Sequence, residues 1–226
     1  MPSIYTLYSK SHKPLYDNYF KKTLREIYSK DELLIRSYEI QHDTGTGEFM
    51  TEGWKNGVNI KQDVLLLALQ QNKDGWFIFS DCDIQFFKPF VLELKEELEG
   101  YDVVCQSDTD TLCNGFFACK SNDTMINFIK KIKENFWSFP NDQVAFNYYK
   151  NLIKYKTLDK RKYFTVGNFF FNNENNTHEW DGSTNILPPK EIVIHHANFV
   201  RGVSDKIKLL DMIRNNYTNM NYDVRF

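Results

Sequence analysis

Long apolar runs are missing from this 226-residue chain. No stretch of about 18 apolar residues occurs, so no segment is expected to span a bilayer. A surplus of one charge is missing too. Lys and Arg total 28 against 30 Asp and Glu, a formal charge of −2. A strongly basic footprint is therefore absent, which argues against nucleic acid as the main partner. Cysteine is scarce. Cys82, Cys105, Cys113 and Cys119 form no CxxC pair, which argues against a zinc site and for buried free thiols in a reducing compartment. The opening Met1-Pro2-Ser3-Ile4-Tyr5-Thr6-Leu7 lacks the charged-then-apolar layout of a signal peptide, so a cytoplasmic setting is expected. The sequons at Asn122, Asn175 and Asn216 matter only in a secreted chain.

What is present is a globular composition, 42% hydrophobic with 16% aromatic residues. Single α/β domains reach roughly 200–250 residues, so one domain spanning residues 1–226 is expected. Residues 4–8 read as a first strand and 33–40 as a second, with helical spacing of Leu15, Tyr19, Leu24 and Ile27 between them. A loop with Gly45, Gly47, Gly53 and Gly57 covers 41–57, and a helix follows over 58–71. Strands are expected at 76–80, 101–106, 115–119 and 191–195. Helices are expected at 91–98, 125–136 and 143–153, and a last one opens at 207–213 behind a Ser204 cap. Strand and helix alternate through the first hundred residues. That order implies βαβ crossovers and a mostly parallel central sheet flanked by helices, with ligands bound outside the carboxyl ends of the strands.

The strongest chemical signal stands at such an end. Phe77-Ile78-Phe79-Ser80 runs straight into Asp81-Cys82-Asp83. Side chains two apart in extended chain share a side, so the two carboxylates repel each other. A divalent cation between them and a phosphate relieves that repulsion, and hard Mg²⁺ or Mn²⁺ takes oxygen ligands of this kind. The bland reading is a solvated turn, where Asp is common. A second signal is Ile194-His195-His196-Ala197-Asn198. Neighbouring residues face opposite sides of a strand, so one imidazole at most points into a given site. The third is Pro140-Asn141-Asp142-Gln143. It reads as a helix start with Asn141 as cap, or as a carboxylate held at a cleft edge against a sugar hydroxyl.

These motifs, in this order, resemble the nucleotide-diphospho-sugar transferases of the GT-A glycosyltransferase superfamily, and within it the small viral branch typified by a chlorella-virus glycosyltransferase domain. The resemblance runs from about residue 54 to 210. It takes in Trp54, Lys61, the Asp81-Cys82-Asp83 block, Gln106-Ser107-Asp108, Cys113-Asn114-Gly115, Asn141-Asp142-Gln143 and His195-His196-Ala197-Asn198 with Gly202 and Lys206. It implies a Rossmann-like GT-A fold and a metal-dependent enzyme, a monomer, that moves a sugar from a UDP-sugar to a glycan. Asp83 would ligate Mn²⁺ or Mg²⁺, Asp81 would contact the ribose and the metal, and His196 would be the late metal ligand, with His195 turned to the core. Thr6, Tyr8 and Ser9 would touch the uracil or ribose, Lys61 would lie near the nucleotide, and Lys206 near the diphosphate. Gln106, Asp108, Asn114 and Gly115 would line the donor-sugar pocket, with Asp142 and Gln143 opposite. Asp142 is the candidate base of an inverting mechanism. In a retaining one, Asp142 or Asp108 would stabilise positive charge on the sugar. Residues 168–184, with His178, Trp180 and Asp181, are the expected acceptor loop. The N-terminal membrane anchor of many cellular relatives is missing, which favours a soluble enzyme, virus-encoded within that branch.

Two rivals stand beside this reading. A phosphatase of the haloacid-dehalogenase type also uses a strand followed by DxD. It places the motif near the N-terminus and wants Thr or Val where this chain has Gln85. A nucleotide-sugar or glycan binding module that lost turnover is the non-enzyme alternative.

Overall fold

The computed structural model describes residues 1–40, 51–167 and 180–222. Its strands are β1 (Ser3–Ser9), β2 (Leu34–Ile40), β3 (Trp76–Ser80), β4 (Ile84–Phe86), β5 (Val103–Asp108), β6 (Thr111–Lys120), β7 (Tyr155–Thr157), β8 (Tyr163–Thr165) and β9 (Ile194–His196). Its helices are α1 (Lys13–Leu15), α2 (Lys22–Ile27), α3 (Glu52–Gln71), α4 (Val91–Glu97), α5 (Asp123–Asn135), α6 (Asp142–Tyr149) and α7 (Val203–Tyr222). A π turn, Tyr16–Lys21, joins α1 to α2.

Six strands form the central sheet in the order β2-β1-β3-β6-β5-β7. Only β6 runs against the rest, pairing antiparallel with both β3 and β5. The sheet is thus mostly parallel, as the strand–helix alternation predicts. Both faces are covered, and the period of two shows which residue goes where. Tyr5, Phe77, Phe79, Val103, Phe117 and Cys119 pack with Leu65 and Leu69 of α3, Phe128 of α5 and Phe146 of α6. The residues between them, Ile4, Ile78, Val104, Phe116 and Ala118, pack on the other face with Phe20, Leu24 and Leu94. A smaller sheet, β4-β9-β8, is covered by Leu209, Leu210 and Ile213 of α7. No helix among the described residues is long and apolar enough to cross a membrane.

Several boundaries differ from the sequence reading. Gly53 and Gly57 lie inside α3, which starts where the Thr51 hydroxyl accepts from the Trp54 amide at 3.2 Å. Gly57 is buried there, and a Cβ added to it would meet Ile40 Cδ1 at an ordinary contact distance of 3.5 Å. The last helix opens at Val203 directly after Gly202, which has a φ of 75°, so Ser204 lies within the first turn and is not its cap. The strand expected at 191–195 is displaced to Ile194–His196. The short strands β7 and β8 escaped the pattern, because three residues carry too little periodicity. Residues 41–50, with Gly45 and Gly47 of the expected loop, lie outside the described residues.

The break between β5 and β6 matters most for the site. Cys105 opposes Phe117, yet the next residue, Gln106, opposes Cys113. Asn114, Gly115 and Phe116 are therefore excess length on β6. The Gly115 carbonyl accepts from the Asp81 amide at 2.7 Å, tying the bulge to the end of β3.

The two histidines separate as strand alternation requires. His195 is fully buried beside Phe164, with its Nδ1 3.2 Å from Gln85 Nε2. Burial, then the neighbouring His196, pushes its pKa down to about 3, although Asp83 opposes the shift. The unfolded chain, with an imidazole near 6.5, thus takes up this proton at higher pH than the folded one, and acid favours unfolding from about pH 6.5 downward. His195→Gln is expected to flatten the fall in melting temperature between about pH 7 and pH 5. Parallel pH profiles for the two proteins would show that His195 titrates alike in both states.

Candidate active site

The carboxyl end of β3 delivers Asp81 and Asp83, and the end of β9 delivers His196. Register brings them together: β4 follows the acid pair and aligns Ile84 with His196, and the Ala197 amide donates to the Asp83 carbonyl at 3.0 Å. One ligand atom from each of Asp81, Asp83 and His196 lies within 4.8 Å of the other two. His196 Nε2 stands 3.3 Å from Asp83 Oδ1 and 4.0 Å from Asp81 Oδ2. Two carboxylates and an imidazole are a donor set suited to Mn²⁺ or Mg²⁺. The backbone leaves room for it: a Cβ on Gly115 would come within 2.4 Å of His196 Cε1 and 2.7 Å of Asp81 Oδ2.

Two lysines, Lys61 buried and Lys206 partly exposed, balance the acids. Lys61 of α3 lies 3.3 Å from Asp81 Oδ1 and 3.1 Å from Asp142 Oδ2, with its ammonium 4.9 Å from the centre of the Phe79 ring. Burial opposes its charge, but Asp142 and Asp81 outweigh that and hold its pKa above the usual lysine value. Lys206 of α7 contacts Asp83 and donates to the Ala197 carbonyl at 3.2 Å. Burial also opposes its charge, and Asp83 reverses the balance upward. The two acids of the motif divide. Burial raises the Asp81 pKa against the pull of Lys61, and Asp83 and its charge add to the rise. Burial works against Asp83 too, but Lys206 holds its carboxyl well below the usual range.

Across from the metal-type cluster, Asn141 caps α6 by accepting from the Val144 amide at 2.8 Å, and this fixes Asp142 and Gln143 in the first turn. Asn114 Nδ2 donates to Asp142 Oδ2 at 2.6 Å, and Gln143 Nε2 donates to Asp108 Oδ2 at 2.9 Å. Carboxylates from β5 and α6 are thereby oriented by neighbours on β6 and α6. These groups enclose a cavity of about 680 Å³.

Tyr8, Ser9, Lys61, Asp81, Asp83, Asp108, Asn114, Gly115, Asp142, Gln143, His196 and Lys206 all line that cavity. Thr6 and Gln106 do not. Both are fully buried, and the Thr6 hydroxyl has no partner among the described residues. Trp180 packs in the core beneath α7, and its indole N–H donates to the Thr184 carbonyl at 2.9 Å. Asp181 is exposed and closes the adjacent turn, accepting from the Ser183 and Thr184 amides at 2.8 and 2.7 Å. Neither Trp180 nor Asp181 lines the cavity, and His178 lies outside the described residues. Sequence reasoning missed His12 and Arg201, both of which line the cavity. His12 follows β1, where its Nδ1 meets the Ser9 and Ser11 hydroxyls at 3.0 and 3.1 Å. The rule that placed interest at strand ends applied to it as well. Asn198, two residues after His196, also lines the cavity, and its amide nitrogen and oxygen are buried without partners among the described residues.

A family model for nucleotide-diphospho-sugar transferases matches residues 16–210. No curated protein sequence matches the chain. Among solved structures, a glycosyltransferase involved in glycosylation of the major capsid of PBCV-1 is 14% identical with a TM-score of 0.63, covering 94% of this chain and 100% of that one. The glycosyltransferase GlyE of Streptococcus pneumoniae is 11% identical with a TM-score of 0.60, over 97% of this chain, which spans 64% of the pneumococcal one. The galactosyltransferase LgtC, solved with donor and acceptor sugar analogues, is 10% identical with a TM-score of 0.55, over 87% of each chain. These identities establish the shared fold, which is that of GT-A glycosyltransferases. The family match spans most of the sequence and includes every residue of the acid–imidazole cluster, so the chain belongs to the nucleotide-diphospho-sugar transferase family and is a glycosyl-transferring enzyme.

Proposed function

We propose that the enzyme transfers a sugar from a UDP-sugar to a hydroxyl of a glycan acceptor, with Mn²⁺ or Mg²⁺ as cofactor. The observation that carries this reading is the convergence of Asp81, Asp83 and His196, with Lys206 against them, on the floor of a cavity large enough for a nucleotide sugar. Asp81, Asp83 and His196 would hold the ion, which when bound supplies Lewis-acid stabilisation of charge on a leaving diphosphate. Lys206, and the amino end of α7 behind Arg201 and Gly202, add positive potential on the same side. Tyr8, Ser9 and His12 occupy the nucleotide end. Asp142 commits Oδ2 to Lys61 and Asn114, which holds its charge in one place on the cavity wall. We assign it to stabilising positive charge that develops on the donor sugar. Four free, buried cysteines suit a reducing cytoplasm.

The metal requirement is read by melting temperature. UDP is expected to raise the midpoint only when Mn²⁺ or Mg²⁺ is present, by about 2.7 kcal/mol of stabilisation at 100 times its Kd. Asp83→Ala is expected to abolish the rise along with transfer. A full rise in EDTA would sink the proposed metal site. Slow release of free sugar from a UDP-sugar separates the enzyme from a binding module that has lost turnover.

Gly115→Ala tests the close approach at the centre of the site. The added methyl forces His196 and Asp81 apart, and displacements on the order of 1 Å at a reacting centre cost roughly 10²-fold in rate. Loss of metal-dependent UDP binding should accompany the loss of rate. Retained binding and rate would show that the ligands sit elsewhere.

Asp142→Asn keeps the shape and removes the charge. Turnover is expected to fall by about 10²-fold or more, in the range set by loss of one oriented electrostatic group. UDP affinity with metal is expected to hold, because Asp142 faces the sugar end. Unchanged turnover would remove Asp142 from the mechanism and leave Asp108, oriented by Gln143, as the next carboxylate to test.

A further inference from the structure

We propose that Gln106 is a positioning residue that decides which ring nitrogen of His196 carries the proton, and so presents Nε2 as a lone-pair donor beside Asp81 and Asp83. The proposal rests on the metal-dependent reading above and concerns a residue outside the cavity lining.

Gln106 is fully buried, so both ends of its amide need partners. One end lies 3.2 Å from the Tyr163 carbonyl and 3.2 Å from the Phe164 carbonyl. Carbonyl oxygens only accept, so that end is the NH₂ group. Turning the amide over would set its oxygen against two other oxygens. The remaining end, Oε1, faces His196 Nδ1 at 3.1 Å. Oε1 only accepts, so Nδ1 must carry the hydrogen. Ligation of a cation needs the neutral imidazole, which has one N–H, so in that form Nε2 presents its lone pair, 3.3 Å from Asp83 Oδ1. Cys113 Sγ, 3.7 Å from the same Nδ1, is a weak further acceptor and no rival for the proton.

The opposite tautomer would behave differently. With hydrogen on Nε2, His196 would donate to Asp83 and satisfy the acid without any cation. Two carbonyls of β8, acting through one amide, therefore separate a ligand from a structural hydrogen bond. The fold arranges this at the register break, where Gln106 opposes Cys113 and its side chain reaches the backbone of β8. Hydrogen bonds to the far nitrogen of a ligating imidazole set its orientation and basicity, and losing one costs typically 10–100-fold in metal affinity.

The test is Mn²⁺ binding by electron paramagnetic resonance, on the full chain with UDP present, alongside the melting temperature. Gln106→Met is expected to weaken Mn²⁺ binding by about 10-fold or more. In a His196→Ala background the same change is expected to alter Mn²⁺ affinity by less than about two-fold, because Gln106 acts only through the imidazole. Should Gln106→Met fail to fold, Gln106→Leu serves instead, with the same loss expected. Equal affinity of wild type and the folded variant overturns the proposal, as does a full loss that persists without His196. A wild-type protein that binds no Mn²⁺ overturns the metal reading itself and this proposal with it.

Discussion

Charge balance at the end of β3 is the constraint on which the rest of the site depends. Buried Asp83 and Asp142 converge with the partly exposed Asp81, and carboxylates so placed cost free energy unless they are paired. Lys61 from α3 and Lys206 from α7 supply the pairing from opposite sides of the cavity. Lys61 is buried and Lys206 partly so, and the acids they meet keep both charged. The arrangement is complete only when α3, α6 and α7 have docked on the sheets, so assembly of the core and assembly of the site are one event.

The irregularity in β6 has the same double character. A regular hairpin would keep Asn114 and Gly115 in the ladder with β5. The extra length carries them to the end of β3, where Asn114 reaches Asp142 and the Gly115 carbonyl takes the Asp81 amide. The register break also turns Gln106 toward β8 and His196. One bulge thus orients groups on both walls of the cavity, in keeping with the tendency of bulges to sit beside functional sites.

Much of this was legible in the chain itself. The apolar strand Phe77-Ile78-Phe79-Ser80 running into Asp81-Cys82-Asp83 marked both a sheet strand and its functional end. Alternation along β9 separated His195 from His196, and Asn141 announced the start of α6. The less legible parts have physical causes. Gly53 and Gly57 read as loop because glycine disfavours helix interiors, yet both lie in α3, where Gly57 is buried. Trp180 reads as a sugar platform because an aromatic in a polar loop resembles one, but it is a core residue of the layer beneath α7. Gln106 reads as a pocket residue because polar groups after strands usually face ligands. Its amide instead faces the backbone of a strand too short to be foreseen.

By itself, then, the order of residues determined the alternating strands and helices, the acid pair at a strand end and the types of side chain available to a cation. Those are local properties, set by period, propensity and covalent spacing. Tertiary structure alone decided that His196 meets an acid pair far away in the chain, that Lys61 bridges Asp81 to Asp142, and that Gln106 addresses Nδ1 of His196 and not a sugar. Such contacts depend on register between strands and on which face of a helix is buried, and the sums that settle them run over the whole core.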